Sequence, residues 1–233
     1  MTQRSKEHWD RFWSDYQGNL ASKDDQTQVL RTRNKQPIDQ KKWEITLSTV
    51  SEQLELCADD CLLDLCCGNG LFSSAFSSRV DHIDAVDISP VLTERLALRG
   101  LPNVNVFVSD MRNVQLPKQN FSKVLWYAGI QYIDESDIVT MVRRIRSWMK
   151  PGGILLIGDI PDRSKLWDYF NEEPRTAAYF DGLAERKPII GSWIETAWLE
   201  RLCLAAGFVS ASAMPQHEEL IYSDFRYDLI ARS

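Results

Sequence analysis

The chain has 233 residues, 27 lysines and arginines against 33 aspartates and glutamates, and a net charge of −6. That length suits one large α/β domain with ample core, and the acidic balance offers no basic face for nucleic acid. No run of eighteen apolar residues is present to span a membrane, and the stretch Met1-Thr2-Gln3-Arg4-Ser5-Lys6-Glu7 lacks the apolar region of a signal peptide. Five cysteines, an odd number with Cys66 and Cys67 adjacent, read as reduced thiols of a cytoplasmic protein rather than a disulfide framework. Cys57, Cys61, Cys66 and Cys67 could be grouped around zinc, but no Cys-x-x-Cys pair repeats, so no metal site is expected.

In chain order, residues 1–16 form an amphipathic helix whose Trp9, Phe12, Trp13 and Tyr16 share one face. Such a face either packs on the core or closes over a site as a lid. Residues 18–36 are polar and irregular and carry Arg31 and Arg33, and Pro37 leads into a helix over 38–56. Residues 61–65 are a short apolar run of the kind buried in a parallel sheet. Gly68 and Gly70 then make a turn that opens a helix over 71–79, whose free N–H groups face whatever binds there. A second strand over 82–86 ends in Asp87, and Ile88-Ser89-Pro90 opens the next helix. The third strand, 103–109, ends in Asp110-Met111-Arg112, and the fourth covers 121–127. Lys150-Pro151-Gly152-Gly153 feeds a fifth strand, 154–158, ending in Asp159.

Residues 161–192 interrupt the route from the fifth strand to the last helix, with one helix expected at Leu166, Trp167, Tyr169 and Phe170 and another over 176–185. Placed after the fifth strand, this insertion falls on the ligand side of an open parallel sheet. The last helix closes over 202–207, and Phe208 begins a strand. The reading is a single domain over 1–233: a helical cap (1–56), a core (57–160), the insertion (161–192) and a last helix with a strand hairpin (193–233). Trp148, Trp193 and Trp198 either pack inside the chain or face a partner in a homodimer.

The turn is a nucleotide-site geometry, but two features exclude a dinucleotide. Ser73 stands where the third glycine of G-x-G-x-x-G would be, and Asp64 would repel a pyrophosphate while suiting a ligand with a cationic amine. The stretch Asp64-x-x-x-Gly68-x-Gly70 resembles the first motif of class I S-adenosylmethionine (SAM) methyltransferases, with Cys66 at the family's first glycine. The downstream acids, the Lys-Pro-Gly-Gly turn and the final helix and hairpin follow the family's order, so the resemblance runs from about Leu54 onward.

The resemblance implies a seven-stranded Rossmann-like α/β sheet, mostly parallel with an antiparallel last strand and helices on both faces. It also implies SAM as methyl donor, S-adenosylhomocysteine (SAH) as product, and no required metal. By the same resemblance, Asp64, Cys66, Gly68 and Gly70 border the cofactor, Asp87 with Ile88 holds the ribose, Asp110 and the Met111 backbone meet the adenine, and the segment from Trp126 to Tyr132 lines the transfer centre. Arg31 or Arg33 could hold the methionyl carboxylate by a forked contact, or lie solvated in a loop.

Methyl transfer needs chiefly alignment, and a hydroxyl acceptor would also want a base. Candidates for that work are His8, Tyr132, Asp159 and His217, whereas His82 in the second strand reads as structural. No Asn-Pro-Pro-Tyr or Pro-Cys motif of base methylation is present. The expected acceptor is a small molecule, a hydroxyl of a sugar or secondary metabolite. A weaker resemblance to bacterial saccharide and secondary-metabolite methyltransferases, in Gln28-Val29-Leu30-Arg31-Thr32, residues 158–163 and Phe225-Arg226-Tyr227-Asp228, points the same way. The chain lacks that group's glycine where Gln36 precedes Pro37. The rival readings are a methyltransferase of protein or RNA and a non-catalytic SAM-binding regulator.

Overall fold

The computed structural model describes residues 3–17, 24–33 and 36–233, so the stretch from 18 to 23 and residues 34–35 of the polar segment lie outside the described residues. The N-terminal part supplies helix α1 (Gln3–Ser14), the short α2 (Asp25–Gln28), a two-strand ladder of β1 (Thr32–Arg33) and β2 (Gln36–Pro37), and α3 (Gln40–Leu54). The core alternates β3 (Cys61–Leu65), α4 (Leu71–Phe76), β4 (His82–Asp87), α5 (Pro90–Ala97), β5 (Val104–Val108), β6 (Phe121–Tyr127), α6 (Glu135–Trp148) and β7 (Met149–Pro161). The chain ends with α7 (Leu166–Tyr169), α8 (Glu173–Ala184), α9 (Thr196–Ala205), β8 (Ser210–Pro215) and β9 (Arg226–Arg232).

Seven strands form one sheet in the order β5-β4-β3-β6-β7-β9-β8. The first five run parallel, and β9 is antiparallel to both β7 and β8. Alternate residues of the strands enter two apolar layers. Leu62, Ile83, Leu125 and Leu156 pack with Trp43, Val50 and Leu54 of α3 and with Phe72 and Phe76 of α4. Leu63, Leu65, Val124 and Leu155 pack on the other face with Ile138, Met141, Val142 and Ile145 of α6 and with Leu199 of α9. The α6 set has i, i+3, i+4, i+7 spacing, which makes a continuous buried stripe. Caps fix the helix starts: Asp39 accepts from Lys42 N–H at 3.0 Å, and Asp134 accepts from Asp137 N–H at 2.8 Å.

The structure moves several boundaries. The fifth strand of the parallel sheet begins at Met149 rather than 154, because Gly152 and Gly153 N–H groups donate to the carbonyl and hydroxyl of Ser233 at 2.9 Å each. Helix α8 begins at Glu173, with Pro174 in its first turn, where a missing N–H costs nothing. The tryptophans considered for a partner subunit pack within the chain: Trp148 is buried, Trp198 lies against the α6 layer, and Trp193 joins Tyr169, Phe170 and Phe225.

One topological feature positions the site. From β3 the chain builds outward through β4 to β5, then returns to the other side of β3 for β6. At such a reversal the crossovers leave in opposite directions and open a crevice at the carboxyl ends of the strands.

Candidate functional site

A cavity occupies that crevice, bordered by the ends of β3, β4, β6 and β7 and roofed by α1. Its turn begins at Cys66, whose φ of +62° is left-handed. Glycine takes that conformation without penalty, whereas a side chain costs about 1–2 kcal/mol. The position therefore explains why the related motif carries glycine there, and why cysteine is an exception. Space for the thiol is made across the cleft: a Cβ on Gly129 would fall 2.5 Å from Cys66 Sγ and 2.9 Å from Trp126 Nε1. Burial, and then the charges of Asp87, Asp110 and Asp64, push the Cys66 thiol well up, so it is neutral and unreactive. Gly68, with φ +55°, donates its N–H to Asp87 Oδ2 at 2.8 Å and faces Val29, which a Cβ would approach to 3.0 Å. Gly70 starts α4 with φ +81°, and a Cβ there would collide with Leu96. It shapes the turn from behind and does not border the cavity.

The acids at the strand ends each have a set environment. Asp64 accepts a 2.5 Å bond from the Ser73 hydroxyl, and burial with some help from Asp87 raises its carboxyl to about 7. Asp87 accepts from Gly68 N–H and, at 2.9 Å, from Ser89 N–H, and burial raises it too. Ile88 lies between these contacts on the cavity wall. Asp110 is held by Arg112, whose Nε reaches both its oxygens at 2.9 Å and whose Nη2 reaches Oδ2 at 2.5 Å. Met111 is buried beside it, its sulfur 3.6 Å from Cys66 Sγ.

Asn69, between the two glycines, ties the N-terminal segment to the turn. Its amide donates to the Asp25 carbonyl and to Gln28 Oε1 at 2.9 Å each. This places Arg31 inside the cavity, its guanidinium 5.1 Å from the Tyr127 ring, 5.7 Å from the Trp43 ring and 3.6 Å from Asp159 Oδ2. Arg33 goes elsewhere: it donates to the Ile221 carbonyl and pairs with Asp224 at the exposed surface. Tyr132 packs under Trp9 and Trp13 of α1, with ring centroids 4.7 and 5.4 Å away, and burial pushes its phenol up to about 12.

Three further sequence candidates fall outside the cavity. His8 is one helical step away from the inward Trp9 and borders an open groove with Lys187 instead; burial and that lysine lower it. His217 is exposed, and its Nδ1 accepts from Glu219 N–H in a turn. Trp126 is fully buried in the core beneath the turn, where it backs the Cys66 loop rather than meeting a ligand. His82 pairs with Asp84 along β4, as a structural residue does.

Conversely, the site contains residues that the sequence reading left aside. Arg112 joins Asp110 to Asp137 of α6 at 2.9 Å and to Asp10 of α1 at 2.7 Å. Arg226, at the start of β9, donates to the Asp159 carbonyl at 2.7 Å and lies 3.2 Å from its Oδ2. Tyr222 donates its hydroxyl to the Thr32 carbonyl at 2.7 Å, closing the wall near Arg31. Asp159 itself sits at a register shift between β7 and β9, with φ +61°, and its N–H donates to Asp228. The phrase Phe225-Arg226-Tyr227-Asp228 carried a signal, but nothing local told which of its residues turns inward.

This sheet order, with one antiparallel strand inserted beside the edge, is the fold of a class I SAM-dependent methyltransferase. Residues 62–153 match the family model described as a methyltransferase domain. An uncharacterized methyltransferase of Mycobacterium tuberculosis is 30% identical over 98 residues, 42% of this chain and 49% of that protein. The chain thus spans about half the length of the curated relatives it matches first. A SAM-dependent methyltransferase of Leishmania major superposes with a TM-score of 0.69 at 13% identity, over 98% of this chain and 83% of that one. The phosphoethanolamine N-methyltransferase 2 of Haemonchus contortus, in complex with S-adenosyl-L-methionine, gives 0.64 at 16% identity, over 82% of this chain and 52% of that one. At these identities the likeness is one of fold.

Proposed function

We propose that the protein binds SAM in this cavity and transfers its methyl group to a small-molecule acceptor enclosed beneath α1. The observation that carries the reading is the turn itself: bare backbone at Gly68, latched to Asp87, beside a buried arginine with open donors. Arg31 Nε and Nη2 have no hydrogen-bond partner among the described residues, and a carboxylate would satisfy them as a fork. Asp64 suits the ammonium of the same ligand, and both oxygens of Asp87 keep a lone pair for ribose hydroxyls. Met111, Ile88 and Leu92 give the adenine apolar walls. At Asp110 an adenine amino group shares the carboxylate with Arg112, a tighter competition than the sequence suggests.

When bound, SAM supplies an activated methyl on a sulfonium. The chain's part is then to hold the acceptor in line and keep water out, which Trp9 and Trp13 do over Tyr132. Among the described residues, the side chains proposed as bases are not free to act. His8 and His217 are elsewhere, the Tyr132 phenol stays protonated, and Asp159 is countered by two guanidiniums. An amine, thiolate or carboxylate nucleophile suits this site better than the unassisted hydroxyl that the sequence favours.

Calorimetric titration with SAM and SAH tests the reading. Asp87→Ala should weaken binding by about 1–3 kcal/mol, the cost of unpaired ribose hydroxyls. Donor labelled at the methyl group, given separate small-molecule and macromolecular fractions of a cell extract, should label the former. Label confined to protein or RNA would favour the rival reading, and unchanged affinity in Asp87→Ala would remove the ribose role.

A further inference from the structure

Two guanidiniums meet one carboxylate where the cavity reaches the end of β7. Arg31 and Arg226 both contact Asp159, with side chains only 7% and 9% exposed. Behind Asp159, Asp228 accepts from the Asp159 N–H at 2.8 Å and the Gln216 amide at 2.8 Å through Oδ1, and from the Gln53 amide through Oδ2. The Arg226 Nη1 is taken by Asp159, while its Nε has no hydrogen-bond partner among the described residues. Trp9 and Trp13 leave their indole N–H groups without partners as well. Arg31, Asp159, Arg226, Trp9 and Trp13 border the cavity, and so does Gln131, whose Oε1 is an unpartnered acceptor.

Among the unpartnered buried atoms that border the cavity, donors therefore outnumber acceptors, and with a methionyl carboxylate on Arg31 the Nε–H of Arg226 and the two indole N–H groups still lack an acceptor. A buried donor without a partner costs about 1–3 kcal/mol, and a charged one more. A ligand relieves that cost by bringing oxygens and negative charge. The plane of the Arg226 fork is fixed by Tyr222 and Phe225, whose ring centroids lie 4.9 and 5.4 Å from its Cζ. A stacked, planar fork matches the paired oxygens of a carboxylate or a phosphate better than a lone hydroxyl.

We propose that the acceptor is an oxyacid, whose carboxylate or phosphate group is held by Arg226 beneath Trp9 and Trp13 and so positions the atom to be methylated. The proposal rests on the reading of the cavity as a SAM site. Arg226 is then a specificity-determining residue of the acceptor side, and Arg31 belongs to the cofactor side.

The test uses the full chain loaded with SAH, with benzoate, inorganic phosphate and the neutral isostere benzamide as probes. Binding is read by tryptophan emission and confirmed by calorimetry. At least one anion should bind, with benzamide roughly tenfold or more weaker. Benzoate alone identifies a carboxylate acceptor, and phosphate alone a phosphate ester. Arg226→Gln should lose about ten- to a hundredfold in anion affinity, and Arg226→Lys should recover only part of it, since a lysine cannot make the fork. Thermal melting and SAH titration establish that each variant is folded and loaded. Should neither anion bind the SAH-loaded wild type, or benzamide bind as well as benzoate, the oxyacid proposal is wrong while the cofactor reading stands. Equal anion binding by Arg226→Gln would also overturn it. If SAH itself does not bind, both fall together.

Discussion

Asp64 shows how one buried side chain couples the site to pH. Its carboxyl is held at about 7 by burial, helped by Asp87 and only partly offset by the Ser73 hydroxyl. An unfolded aspartate titrates near 3.9, so between about pH 4 and 7 the folded ligand-free protein binds the extra proton. Its stabilising share is complete below about pH 4 and is lost as pH rises through 7, by up to about 4 kcal/mol. Asp87 is shifted in the same direction. Urea unfolding of ligand-free protein at pH 5.5 and pH 8 should show about half of this loss, about 2 kcal/mol. Asp64→Asn, which keeps an acceptor for Ser73, should reduce the difference between the two pH values by about 2 kcal/mol. An identical slope in the variant would mean that the carboxylate is already ionised in the folded state. Cys66 makes a second residue-scale point. A motif match marks its position as glycine-like, but only the backbone angle shows that the cost of a side chain is accepted and that Gly129 gives the room.

At the scale of elements, α1 is fastened by two unlike contacts. Trp9 and Trp13 lie on Tyr132, and Asp10 pairs at 2.7 Å with Arg112, which also grips Asp110 and Asp137. The helix thereby reports on the cavity floor. Asp10→Asn should weaken the latch by about 1 kcal/mol and speed amide exchange in residues 3–14 roughly fivefold. Exchange in α6 should not change, and hydrogen-exchange mass spectrometry resolves the two. An equal effect in α6 would make α1 part of the core rather than a cover. The same helix shows what was legible in the sequence. Its spacing placed Trp9 and Trp13 on one face, and the same geometry turns His8 about 100° away. The acids Asp64, Asp87 and Asp110 were legible because a strand that ends in an acid before a turn is a local pattern. Trp126 was not, since a strand covered on both faces carries apolar residues to either layer without distinction. Arg226 was still less so. It meets Asp159 through antiparallel pairing of β9 with β7 across 67 positions of sequence, a contact that no local pattern encodes.

For the whole molecule, the cavity is where parts distant in sequence converge. The segment carrying Arg31 comes from the N-terminal region, Arg226 from the last hairpin, and the glycine turn from the centre of the sheet. Asp159 stands between the two arginines in a backbone conformation that costs a non-glycine residue free energy. A ligand that fills it must stabilise all three parts at once. Saturation at about a hundred times the dissociation constant adds about 2.7 kcal/mol by mass action. For a domain of this size each kcal/mol moves the melting temperature by about 2–4 °C, so SAM should raise it by roughly 5–10 °C. Because the stabilisation is shared, it should appear as one cooperative shift, seen alike by tryptophan emission and by far-ultraviolet circular dichroism. A shift in emission alone would mean that the ligand orders α1 and leaves the junction untouched. No shift in either signal at a concentration that saturates calorimetric binding would mean that the site binds the folded and unfolded chain equally, which an enclosed cavity assembled from three distant segments cannot do.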